Sequence, residues 1–128
     1  MIRRSLPALA LLLCAAPALA DPTLECPGSS QVETGACLTG VLARVNEALD
    51  LALGFAASAA SELDGEMGTT RSHDALLAAQ AAWEAYRTAH CEHVGTTWGG
   101  GSGTGIAMTA CHITLGRARV DSLLALAG

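Results

Sequence analysis

Leu76-Leu77-Ala78-Ala79-Gln80-Ala81-Ala82-Trp83-Glu84-Ala85-Tyr86-Arg87-Thr88-Ala89-His90-Cys91 is built almost wholly from strong helix formers. Leu76, Ala79, Gln80, Trp83, Tyr86, Arg87 and His90 recur at three- and four-residue steps, which places them on one helical face. Ser72 reads as the N-cap, and Asp74 falls in the first turn, where the helix dipole favours negative charge. The helix is predicted to end near Val94, because Gly95 to Gly105 holds six glycines in eleven residues and reads as a loop.

Helices are predicted on both sides. Upstream, Ser30-Gln31-Val32-Glu33 is a capping box. Behind it Leu38, Val41, Leu42, Val45, Leu49, Ala52, Leu53, Ala56 and Leu63 repeat at helical spacing, which predicts an amphipathic helix to about Leu63. Gly54 inside it costs roughly 1 kcal/mol relative to Ala. Gly65 and Gly68 supply the stop and the turn. Downstream, a third helix runs from near Thr104 to about Leu126, with Ile106, Cys111, Leu115, Leu123 and Leu126 on its apolar face. Short connections make the helices pack antiparallel in sequence. The fold class is therefore all-α, a small antiparallel three-helix bundle.

Composition narrows the function. The chain has 128 residues, 7 basic residues that are all arginine, and 12 acids, for a net charge of −5. Without lysine there is no phosphate-loop lysine, Schiff base or Ser-Lys dyad. An acidic surface also opposes nucleic acid as a partner, since phosphate recognition needs clustered cations.

Residues 1–20 are predicted to be a signal peptide. Arg3 and Arg4 form the positive start, Leu6 to Leu13 is apolar apart from Pro7, and Ala18-Leu19-Ala20 is a small-x-small cleavage site before Asp21. That apolar run is too short to span a bilayer, and no membrane span is expected in the mature chain. Cys14 is a poor lipid-attachment site, because Leu13 rather than a small residue precedes it. Cleavage would remove two arginines and no acid, leaving a net charge of −7 over 21–128. An exported chain is then periplasmic or secreted.

Four cysteines remain after cleavage: Cys26, Cys37, Cys91 and Cys111. An even count in a small exported domain predicts two disulfides, and the lack of any Cys-x-x-Cys argues against zinc. In an antiparallel bundle all four fall at one end. Matching levels along the helices pairs Cys37 with Cys111 and leaves Cys26 for Cys91.

The spacing of Gln80, Trp83, Tyr86, Arg87 and Cys91 resembles the A-Q-x-x-W-x-x-Y-R-x-x-x-C motif of the LprI-like, lysozyme-inhibitor-type family of small exported bacterial proteins. The resemblance extends to a capped helix start with a Cys seven residues on, as in Ser30, Glu33 and Cys37. It also covers the Gly-rich loop and the C-x-x-x-L-x-x-x-R-x-x-x-L pattern met by Cys111, Leu115, Arg119 and Leu123, so nearly all of 21–128 is covered. In helix 1 the family tends to an Asp, an Asn and a Tyr, where this chain has Asn46, Asp50 and Leu53. The resemblance implies an exported envelope protein that binds a cationic lysozyme without catalysing a reaction.

Independently of that resemblance, Gln80, Trp83, Tyr86 and Arg87 read mainly as core-specifying residues. Trp83 and Tyr86 are the expected large anchors of a small-residue core, and Glu47 and Asp50 are the acids expected to meet Arg87. His90 and His93 are spaced as a metal pair but lack a third ligand, so no metal and no other cofactor is expected. The glycine loop is not a phosphate loop: no Lys follows and no G-x-G-x-x-G occurs. Trp98, flanked by glycines, is either tucked onto the bundle or presented to a partner. A second reading is a helical envelope module with another partner. An enzyme finds no support in a Ser-His-Asp order, a ligand set or a recognisable acid pair.

Overall fold

The computed structural model describes residues 21–128; the predicted signal segment, with Cys14, lies outside the described residues. A 3-10 turn, Pro22–Glu25, leads into α1 (Gln31–Met67), α2 (Arg71–Thr96) and α3 (Gly103–Ala127). There is no strand among the described residues. The all-α three-helix bundle and its two disulfides are as the sequence predicts. No helix among the described residues is long and apolar enough to cross a membrane.

The start of α1 forms because its orphan donors are met locally. Ser30 Oγ accepts from the N–H of Glu33 at 3.2 Å, while Glu33 Oε2 accepts from the N–H and hydroxyl of Ser29 at 2.8 and 2.7 Å. The Ser29 hydroxyl and N–H hold the Glu33 carboxyl below its ordinary range. At the far end Gly68 adopts φ 66°, the left-handed conformation that closes a helix at little cost for glycine. Gly65 does not stop the helix; α1 runs on to Met67.

The start of α2 is capped from a distance. It begins at Arg71, not after Ser72, and its Thr70 makes no side-chain capping bond. Instead the buried carboxylate of Asp64, on α1, accepts from the N–H groups of Ser72 at 3.0 Å and His73 at 2.9 Å. One side chain thus fixes the turn between two helices and satisfies two orphan donors.

α1 and α3 run parallel, with α2 antiparallel between their ends. Cys26, Leu38, Val41, Val45 and Ile113 form one core cluster, joined by Leu42 and Ile106. Ala52, Ala56 and Leu123 form a second, with Leu53, Leu76 and Val120 packed against it. In the second cluster α1 contributes two buried alanines, Ala52 and Ala56, so its side chains there fill little volume. α2 buries only Gln80, Cys91 and Gly95. Leu63 and Leu126, predicted on apolar faces, are exposed.

The disulfide pairing differs from the level-matched prediction. Cys26 bonds Cys37, and Cys91 bonds Cys111. The 3-10 turn folds the segment before α1 back along that helix, so Cys26 lies on its first turns and not across the bundle. The short connection 97–102 keeps the end of α2 against the start of α3, which makes Cys91 and Cys111 equally well matched in level. Level alone could not rank the two pairings.

Candidate functional site

Of the motif residues, Gln80, Trp83, Arg87 and Arg119 come together on the α2–α3 interface as a polar lock, and Tyr86 does not join them. Arg87 donates from Nε and Nη2 to the backbone carbonyl of His112 at 3.1 and 2.7 Å, and from Nη2 to Asn46 Oδ1 at 3.0 Å. Its partners are therefore a carbonyl on α3 and a neutral amide on α1; the expected acids Glu47 and Asp50 are exposed and make no bond to it. Burial holds the Arg87 pKa below its ordinary value. Gly116 makes the approach feasible: a Cβ there would lie 2.6 Å from Val45 Cγ1 and 3.0 Å from Arg87 Nη2.

Trp83 is half-buried, with two guanidiniums over its ring. The Arg87 and Arg119 Cζ atoms sit 5.3 and 5.7 Å from its ring. Arg119 Nε donates to Gln80 Oε1 at 3.0 Å, and Gln80 Nε2 donates to Glu84 Oε1 at 3.1 Å. Gln80 is buried, which its place in this chain of bonds explains. Tyr86 is not a core anchor. It is 54% exposed and stacks on His90 with ring centroids 5.3 Å apart. Arg87 turns to α3 and α1, while Tyr86 beside it on the helix points to water.

At the cysteine end, the 3-10 turn, the end of α2 and the start of α3 enclose an apolar groove of about 560 Å³. Pro22, Val94, Trp98, Ile106, Ala107 and Ala110 supply its walls, and Asp21 is the one charged residue lining it. Trp98 is both seated and presented. Its ring rests on Gly103, where a Cβ would come within 2.9 Å of Cε3, yet the residue is 58% exposed. Gly99 and Gly100 have φ of 64° and 76°, so the turn beside it requires glycine. Glu25 forms a two-pronged ion pair with Arg117 that ties the 3-10 turn to α3. That pair lowers the Glu25 pKa and raises that of Arg117. Both disulfides lie at this end, so the groove stands on a braced frame.

His90 and His93 are not joined by a third ligand: among the described residues, no group of three His, Cys, Asp or Glu is placed to hold a metal ion. The sequence marks Asn46 only as a departure from the family pattern and not as a partner of Arg87, and it marks neither the His112 carbonyl nor Gly116. A glycine within a strong helix is the one signal that marks a close approach.

These features define a disulfide-braced helical domain with a structural arginine–tryptophan lock and an apolar groove at its stapled end. The chain belongs to the lysozyme inhibitor LprI family, whose pattern it matches over residues 26–123. No curated protein and no solved structure matches the chain.

Proposed function

We propose that the protein is exported, loses residues 1–20, and inhibits a lysozyme by binding it without catalysis. The family match over 26–123 carries this reading. Two disulfides suit an oxidising compartment such as the periplasm or the exterior. The acid excess suits a basic partner, since complementary charge speeds encounter.

Charge gives rate but little specificity, so an anchoring contact is also needed. Trp98 fills that role: an exposed, braced indole beside an apolar groove is the kind of residue that dominates binding energy. The motif residues Gln80, Trp83, Arg87 and Arg119 hold the bundle together, and touch the partner only indirectly.

Lysozyme activity assayed with purified residues 21–128 tests the proposal. Inhibition should weaken as salt rises, mainly through a slower on-rate, because exposed charges are screened beyond about 8 Å at physiological ionic strength. Trp98→Ala should fold normally and dissociate faster. Absence of inhibition at every salt concentration would favour a helical envelope module with another partner.

A further inference from the structure

The opposite end of the bundle holds a second cavity, of about 410 Å³. Its walls come from the last half of α1 (Ala56, Ala59, Ala60, Leu63), the first half of α2 and the end of α3. Alanine on facing helices leaves space that larger side chains would fill, and the cavity is apolar over most of its surface.

Arg119 is the one charged residue lining it. Its guanidinium is fixed at one side by Gln80 and Trp83. Nη2 is out of contact with water and has no hydrogen-bond acceptor. No carboxylate pairs with Arg119: the ion pairs among the described residues are His73–Asp74 and Arg117–Glu25. Asp64, near this end, is occupied by the N–H groups of Ser72 and His73 and does not line the cavity. Arg119, partly buried at an apolar cavity, thus has an amide and an indole as neighbours but no acid partner among the described residues.

We propose that this cavity binds a single-chain amphiphile with a carboxylate head group, such as a medium-chain fatty acid. The acyl chain lies among the alanine and leucine walls, and the carboxylate pairs with the guanidinium where Arg119 lines the cavity. Arg and carboxylate match as two parallel charge-assisted bonds. The volume is at the lower end of small-ligand pockets, roughly 300–1,000 Å³, which suits one chain and not a two-chain lipid. The site is separate from the Trp98 groove and does not depend on lysozyme binding.

The two tryptophans make the test internally controlled. Titration of purified residues 21–128 with octanoate, followed by the indole N–H resonances, should shift Trp83 saturably and leave Trp98, at the far end, unchanged. Octanol should bind about tenfold more weakly, the ratio expected if one charge-assisted contact is lost. Arg119→Gln should weaken octanoate to the octanol level without changing octanol. Ala60→Leu, which fills the cavity and leaves Arg119 in place, should abolish both and keeps the test valid if Arg119→Gln unfolds. Phosphatidylglycerol vesicles should leave Trp83 unshifted; a shift with vesicles and none with octanoate would overturn the free-acid assignment. No saturable octanoate binding, or equal binding of octanoate and octanol, would overturn the proposal.

Discussion

Arg87 on α2 grips the backbone carbonyl of His112 on α3 with two donors of one guanidinium. The same head reaches Asn46 on α1, so one side chain ties all three helices. An arginine that binds a carbonyl is independent of any acid on the partner helix. Its substitution therefore tests packing and not ion pairing.

Arg87→Ala should destabilise the protein by about 2 kcal/mol, since hydrogen bonds to a charged group contribute roughly 1.5–3 kcal/mol and this one is partly solvated. Arg87→Lys should recover little, because an ammonium cannot reproduce the forked geometry. Urea unfolding of the three proteins measures both differences. Equal stability of Arg87→Lys and wild type would show that charge alone suffices.

Gly116→Ala and Gly54→Ala should move stability in opposite directions. At Gly116 a methyl meets Val45 and Arg87, and overpacking outweighs the helix-propensity gain by about 1–2 kcal/mol. At Gly54, inside α1, a Cβ meets nothing within 4 Å, so alanine should stabilise by about 1 kcal/mol. Thermal unfolding of the pair separates the effect of close approach from that of backbone freedom.

Acidification should weaken the fold first through His112. Burial, and next the Arg87 cation, hold its imidazole below the ordinary value of 6.5. Between 6.5 and that lower folded value the unfolded chain binds more protons, so stability rises with pH in this window and falls as the solution is acidified. Glu25 and Glu33 act in a separate window: their lowered pKa values favour the fold above 4.5, a contribution lost as pH falls through the folded values. Melting temperature against pH should therefore be flatter below 6.5 in His112→Gln than in wild type. Identical profiles there would remove His112 as the cause.

Peptide mapping of the unreduced protein should find Cys26 linked to Cys37 and Cys91 to Cys111. Removing the second bridge with Cys91→Ala and Cys111→Ala together should lower stability by about 3 kcal/mol, the chain-entropy value for a loop of this size. A linked Cys26–Cys91 peptide would mean that the 3-10 turn does not fold back on α1.

Asp64→Ala should shorten α2 from its start. Two N–H groups lose their acceptor at once, and a lost cap costs about 1–2 kcal/mol. Amide hydrogen exchange at Ser72 and His73 should accelerate more than exchange in the centre of α2.

The sequence by itself determined the three helices, the capping box at Ser30 and Glu33, the turn at Gly68 and the number of disulfides. These follow from local rules: side-chain period, cap chemistry and cysteine parity act within one element or by count. The predicted loop Gly95 to Gly105 shrinks to 97–102 because both flanking helices extend into it. The resemblance carried by Gln80, Trp83, Tyr86, Arg87 and Cys91 also stands, with the family matched over 26–123. Only the tertiary structure decided which cysteines pair, what Arg87 grips, why Tyr86 faces water and where α2 finds its cap. Each of these depends on the rotation and level of one helix against another. Periodicity names a face but not the neighbour that covers it. The acceptor for Arg87 is a backbone carbonyl, a group that every residue carries and no sequence pattern marks.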